Sequence, residues 1–159
     1  MTVTLEDERI LEALREARES SQAREDRERL AGSLGLFVRD AFQQIQPGRA
    51  YKHNWHIEVI ATHLEAVSAG EIQRLQIWIP PSMMKSYMVN VMWPAWEWTR
   101  QPELKYWCAS HSLELIWNHA GDSRTIIESP WYQARWGDKF YLTFATQKGY
   151  GNNIGGLRS

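Results

Sequence analysis

The stretch RLQIWIPPSMMKSYMVNVMWPAWEW, Arg74 to Trp98, decides how the rest of the chain is read. Leu75, Ile77 and Ile79 alternate with Gln76 and Trp78, and the run is bounded by Gly70 before it and Pro80 after it. It is too short for a helix, so the pattern predicts a mostly buried strand over 74–79. Lys85 then opens a segment with Met88, Val91 and Met92 at helical spacing, and Pro94 forces a kink or break before a second short turn through Trp98. Pro80 to Met84 is therefore expected to be a strand-to-helix loop.

The flanking sequence extends this pattern. Upstream, Ile57, Ile60, Ala61, Leu64 and Val67 predict a helix from Trp55, with Gly70 supplying its stop. Downstream, LKYWCA (104–109) is a second strand candidate, and either Ser110 or Ser112 can cap the helix that carries Leu113, Ile116, Trp117 and Ala120 on one face. The alternation of strand and helix predicts an α/β fold with a largely parallel sheet. Leu34, Leu36, Phe37, Val38 and Phe42 predict a short buried helix before the Pro47-Gly48 turn, and the aromatic cluster Trp131, Tyr132, Trp136, Phe140, Tyr141 and Phe144 must pack somewhere.

The first thirty residues differ in kind, with nine acids and six arginines around a thin stripe of Leu5, Ile10, Leu14 and Ala17. They predict a solvated helix over 5–30, either without a specific role or serving as a docking helix for a partner. Residues 31–159 keep twelve bases and ten acids, a balance without the electrostatic footprint of a dedicated nucleic-acid binder. The single cysteine, Cys108, lies in an apolar run and is expected to be a buried, inert thiol in a reducing compartment. No signal peptide and no run of 18 apolar residues appears, which predicts a cytoplasmic protein with no membrane partner.

A strand, a tight loop and a helix opening at Lys-Ser form a context suited to phosphate binding, because unpaired backbone N–H groups face the loop. Lys85 can reach the outer phosphates and the Ser86 hydroxyl can ligate Mg²⁺. In the usual pattern of Gly, four residues, Gly, Lys, and Ser or Thr, Ile79 and Met84 occupy the two glycine positions here. Pro80 and Pro81 donate nothing, but Ser82 to Ser86 leave five consecutive N–H donors, and the prolines fix the exit from the preceding segment. The alternative is an ordinary strand-helix turn with a surface lysine.

The stretch IPPSMMKSYMVNVMWPAWEWTRQPELKYWCASHS, together with ESPWYQARWGDKF, resembles the ATPase domain of phage terminase large subunits. In that family a deviant Walker A loop containing Pro-Pro ends in Lys-Ser. It commonly reads Pro-Pro-Gly-Thr-Met-Lys-Ser, and Ser82 and Met83 replace its Gly and Thr here. The resemblance runs from about Trp55 to the end, and includes Trp93-Pro94-Ala95-Trp96, Ser110-His111-Ser112 and Ser129-Pro130-Trp131-Tyr132.

It implies a P-loop NTPase-like fold of the RecA/ASCE type, incomplete, over 32–159, with a charged helical extension over 1–31. It also implies an ATP-driven motor that packages viral DNA into procapsids, with ATP and Mg²⁺ as cofactors. Implied partners are double-stranded DNA, the portal protein, the small terminase subunit and further copies of the chain, in the host cytoplasm. By the same resemblance Pro81, Ser82, Met83, Met84, Lys85 and Ser86 hold the phosphates, Lys85 and Ser86 act in catalysis, and Ser86 ligates the metal. The adenine base falls to Tyr51, Trp55 or His56, although Trp55 at the start of an amphipathic helix also fits a core anchor.

Phosphoryl transfer needs a further element, an apolar strand ending in an acid, and no run of four apolar residues followed by Asp or Glu occurs after the loop. The expectation is an amino-terminal portion lacking the Walker B strand and the nuclease domain, with weak nucleotide binding and no hydrolysis of its own. His53, His56 and His63 lack an acid or thiol to complete a metal set. Most of the nine tryptophans are expected in the core rather than as base-stacking platforms. The rival function is a non-catalytic interaction module that recruits a partner through the charged helix.

Overall fold

In the computed structural model, which describes residues 5–143 and 153–157, the core is built on two crossing helices. The first, α2 (Leu34–Ile45), begins at Ser33, whose hydroxyl accepts from the Leu36 N–H, and buries Leu34, Phe37, Val38, Ala41 and Phe42. The second, α3 (Trp55–Ser68), begins at Asn54 and buries Ile57, Ile60, Ala61 and Leu64, which is the face its periodicity predicts apart from Val67. Gly35 lets the two approach, since a Cβ there would lie 2.9 Å from the Glu58 carboxylate. Gly70 ends α3 with φ of +78°, and the Glu71 N–H returns to the Ala66 carbonyl.

Before this pair runs α1 (Leu5–Gly32), whose last turn delivers Leu30 into the core. The Trp96 indole N–H donates to the Leu30 carbonyl at 3.0 Å, and Arg27 meets Asp138 at 2.9 Å. The middle of the core comes from α4 (Lys85–Tyr87), a π-helical turn (Met88–Met92) and α5 (Trp93–Glu97), which follow without interruption. Pro94 does not end this helix. Lacking an N–H, it cannot bond the carbonyl four residues back, and the preceding turn widens so that the Trp93 N–H reaches the Met88 carbonyl instead.

Two further helices close the other side. Ser112 caps α6 (Leu113–Glu128), and Ser129 caps α7 (Pro130–Trp136) through the Tyr132 N–H. Only the second half of α6 is buried, at Ser123, Ile126 and Ile127, whereas Leu113 and Trp117 on the expected face are exposed. Tyr132 and Trp136 join Phe37 and Phe140 in a buried aromatic cluster, with the Tyr132 hydroxyl donating to the Ala95 carbonyl at 2.9 Å. Of the run ending at Phe144, that last residue lies outside the described residues.

The structure overturns the predicted α/β fold, and with it the parallel-sheet P-loop NTPase-like fold of RecA/ASCE type. Of the described residues, 63% are helical. Among the described residues, strand pairing is confined to one antiparallel ribbon of β1 (Phe140–Thr143) and β2 (Asn153–Leu157). Both predicted strands, 74–79 and 104–109, are extended but enter no ladder. Residues 75–79 and 105–109 make no backbone hydrogen bond among the described residues.

Their alternation has another cause. Leu75, Ile77 and Ile79, like Leu104 and Tyr106, turn one edge of an extended chain onto the helical core. Trp78 and Trp107 on the opposite edge are 88% and 99% exposed. One-sided burial produces a period of two whether or not a neighbouring strand exists. Cys108, expected to be buried, is exposed at the end of this second segment.

Candidate functional site

The connection from α2 to α3, beyond the Pro47-Gly48 turn, and Ser82 to Met84 of the following loop line a cleft of about 940 Å³. One wall comes from the end of α2, the connection after it and the first turn of α3, with Arg49, Lys52, His53 and His56 contributing polar side chains. The opposite wall is Ser82, Met83, Met84 and Tyr87, and Phe42, Ile45 and Ile57 supply an apolar floor. Arg49 and Lys52 are exposed and form no ion pair among the described residues, while His53 lies 3.6 Å from Glu58. Among the described residues no aspartate or glutamate lines the cleft.

Local backbone geometry shapes the loop wall. Ser82 has φ of 66° and Met84 has φ of 60°, so two L-residues hold the left-handed region where glycine is favoured. Met84 in that conformation directly precedes the helix that Lys85 opens. The connection therefore turns sharply at both ends of Met83, and Ser82, Met83 and Met84 are all presented to the cleft.

The expected site residues divide accordingly. Ser82, Met83, Met84 and His56 line the cleft, whereas Pro81, Lys85, Ser86, Tyr51 and Trp55 do not. Lys85 is half-buried and follows Met84 directly; its carbonyl accepts from the Met88 N–H, and its ammonium makes no hydrogen bond or ion pair among the described residues. Ser86 is exposed on the same turn.

Tyr51 turns inward, its ring 5.6 Å from that of Phe42. Burial and then the Glu58 carboxylate push its hydroxyl upward from the usual phenol range, and that hydroxyl has no hydrogen-bond partner. Trp55 is 73% exposed and meets only the edge of His56, at 6.2 Å, so it anchors no core. Arg49, Lys52 and His53 were not singled out as site residues by sequence. Their signal was a cluster of bases just after a Pro-Gly turn, with His56 one helical turn further on.

Behind the cleft Tyr87 reaches α6. Burial, and then the charge of the Asp122 carboxylate, push its hydroxyl upward from the usual phenol range, and burial raises the Asp122 carboxyl. The His119 ring stands edge-on to Tyr87 at 6.0 Å, and the Asn90 amide lies 3.4 Å from His119 Nδ1.

The chemistry of this lining suits an anion: cations on one wall, a tight loop on the other, and, among the described residues, no carboxylate in the lining itself, the Glu58 carboxylate standing 3.6 Å from His53. Among the described residues no three of His, Cys, Asp and Glu gather as metal ligands. Mg²⁺ that arrives with a nucleotide is held largely by phosphates and water, and Ser86 is the side chain the resemblance assigns to it. Among the described residues no helix is long and apolar enough to cross a membrane. Comparison of the chain with family models, curated proteins and solved structures returns no match.

Proposed function

We propose that the cleft binds the phosphates of ATP and that the chain is the nucleotide-binding part of a DNA-packaging motor of the terminase large-subunit type. The observation that carries the binding is the pairing of Arg49 and Lys52 with a lining free of carboxylates. A polyphosphate entering there gains two cationic partners without displacing an internal ion pair among the described residues. Lys85 does not line the cleft but stands one residue beyond the loop wall, and its four-carbon stem is long enough to reach a ligand lying against Met84. The motor role rests on the Pro-Pro-to-Lys-Ser resemblance, and so do double-stranded DNA, the portal protein and the small subunit as partners.

Titration of a fluorescent ATP analogue with Mg²⁺ tests this. Lys85→Ala is expected to weaken binding about tenfold, and the Arg49→Ala, Lys52→Ala double variant more than that, because each loses a charge-assisted contact. Binding should also weaken as salt is raised. Equal affinity in wild type and both variants overturns the assignment.

That outcome favours a second reading, recruitment of a partner through α1, which has its own support. Ile10 and Leu14, one turn apart, are exposed among charged residues.

A further inference from the structure

The cleft presents positive charge and, among the described residues, no carboxylate of its own. Its side-chain oxygens belong to Gln46, Asn54, Ser82 and Tyr87, all neutral groups. The Asn54 oxygen is already engaged, accepting from the Trp55 N–H at 2.8 Å where α3 begins. The Glu58 carboxylate stands outside the lining, 3.6 Å from His53 Nδ1. Ser86, which the terminase resemblance makes the metal ligand, is exposed and also stands outside the lining.

Mg²⁺ needs near-octahedral oxygen coordination, and nucleotide sites ordinarily supply a carboxylate or two beside phosphates and water. The donors of this cleft do not fit that role. They fit an uncomplexed polyphosphate, since an Arg guanidinium grips two phosphate oxygens at once and a Lys ammonium adds a point charge. A metal ion on the same oxygens would occupy the atoms that these side chains bond, and would cancel much of the charge that draws the ligand in.

We propose that the cleft selects the metal-free form of its phosphate ligand, with Arg49 and Lys52 supplying the neutralisation that Mg²⁺ supplies in other nucleotide sites. Both side chains are exposed and form no ion pair among the described residues, so their charge is free to turn onto a ligand. Mg²⁺ therefore competes with the protein for the polyphosphate rather than bridging the two. The inference rests on phosphate binding in the cleft.

The test is isothermal titration calorimetry with inorganic triphosphate and then ATP, at one fixed ionic strength, first in EDTA and then in excess Mg²⁺. The dissociation constant in EDTA is expected to be about tenfold lower than in Mg²⁺, and Mg²⁺ titrated alone into the protein should give no binding isotherm. In the Arg49→Ala, Lys52→Ala double variant the ratio of the two constants should fall toward one, and each single variant should lower it part of the way. Thermal melts show that the variants are folded, as substitution of two exposed side chains should leave them.

Equal or tighter binding in Mg²⁺ overturns the selectivity and leaves phosphate binding intact, and so does a Mg²⁺ isotherm on the protein alone. A full tenfold ratio in the folded double variant overturns the role given to Arg49 and Lys52. If neither ligand binds in either buffer, phosphate binding fails and the selectivity fails with it.

Discussion

Ser82 and Met84 occupy a region of backbone space that costs an L-residue about 1 kcal/mol or more, at φ of 66° and 60°. Ser82 is exposed, whereas the Met84 side chain packs on the core, so the cost is separable from packing only at Ser82. Ser82→Gly is expected to stabilise the protein by up to about 1 kcal/mol, a rise of about 2–4 °C in Tm. Gly70→Ala, at φ of +78° with open space around it, should lower Tm by a similar amount. An unchanged or lower Tm for Ser82→Gly would mean that the serine side chain contributes something that offsets the strain. Sequence pattern located this loop between Pro80 and Lys85; neither serine nor methionine itself signals positive φ, and the sign of it was that Ser82 and Met84 stand where the loop patterns they resemble carry glycine.

At the scale of elements, helices were legible where one face is buried along the whole length. In α3 the spacing from Ile57 to Leu64 reports a continuous apolar contact, and Gly70 marks the stop. The segment through Pro94 was harder, since a proline reads as a break and the π-helical turn that absorbs it leaves no residue signature.

The two extended segments were harder still. Their alternation encodes which edge touches the core, but backbone pairing depends on a neighbour that local pattern cannot specify. Amide hydrogen exchange makes the distinction measurable. The N–H groups of residues 76–79 and 106–109 are expected to exchange without protection, while those of Val91 and Trp96, inside the buried helix, stay protected. Strong protection of the extended segments would reveal a hydrogen-bond partner for them.

For the molecule as a whole, the candidate site combines residues about thirty apart in sequence, 49–56 with 82–87, and the packing of α2 against both α3 and the π-helical segment brings them together. The sequence singled out Ser82, Met83 and Met84 of the cleft's loop wall, together with Pro81, Lys85 and Ser86, which do not line it, and it did not single out Arg49, Lys52 and His53. A strand-loop-helix reading has a local pattern, whereas four bases on a turn and a helix start look like ordinary surface until the opposite wall is known. The junction between α1 and the core was likewise hidden, since Leu30 at the end of a charged run gives no sign of being fully buried.

This junction yields a prediction. Leu30→Ala should cost about 2–5 kcal/mol, through lost burial and the cavity left beside Trp96, whereas deleting residues 1–20 should leave Tm within about 2 °C. Comparable losses from both would mean that the exposed half of α1 also holds the fold together.

The same anchor makes α1 a mechanical amplifier. Ile10 lies twenty residues before Leu30, about 30 Å along a helix axis. A tilt of only about 10° at the Leu30–Trp96 pivot therefore sweeps Ile10 through about 5 Å, as a lever lengthens a stroke. Any body coupled to the tip would experience a displacement several times larger than the rearrangement at the fulcrum that caused it.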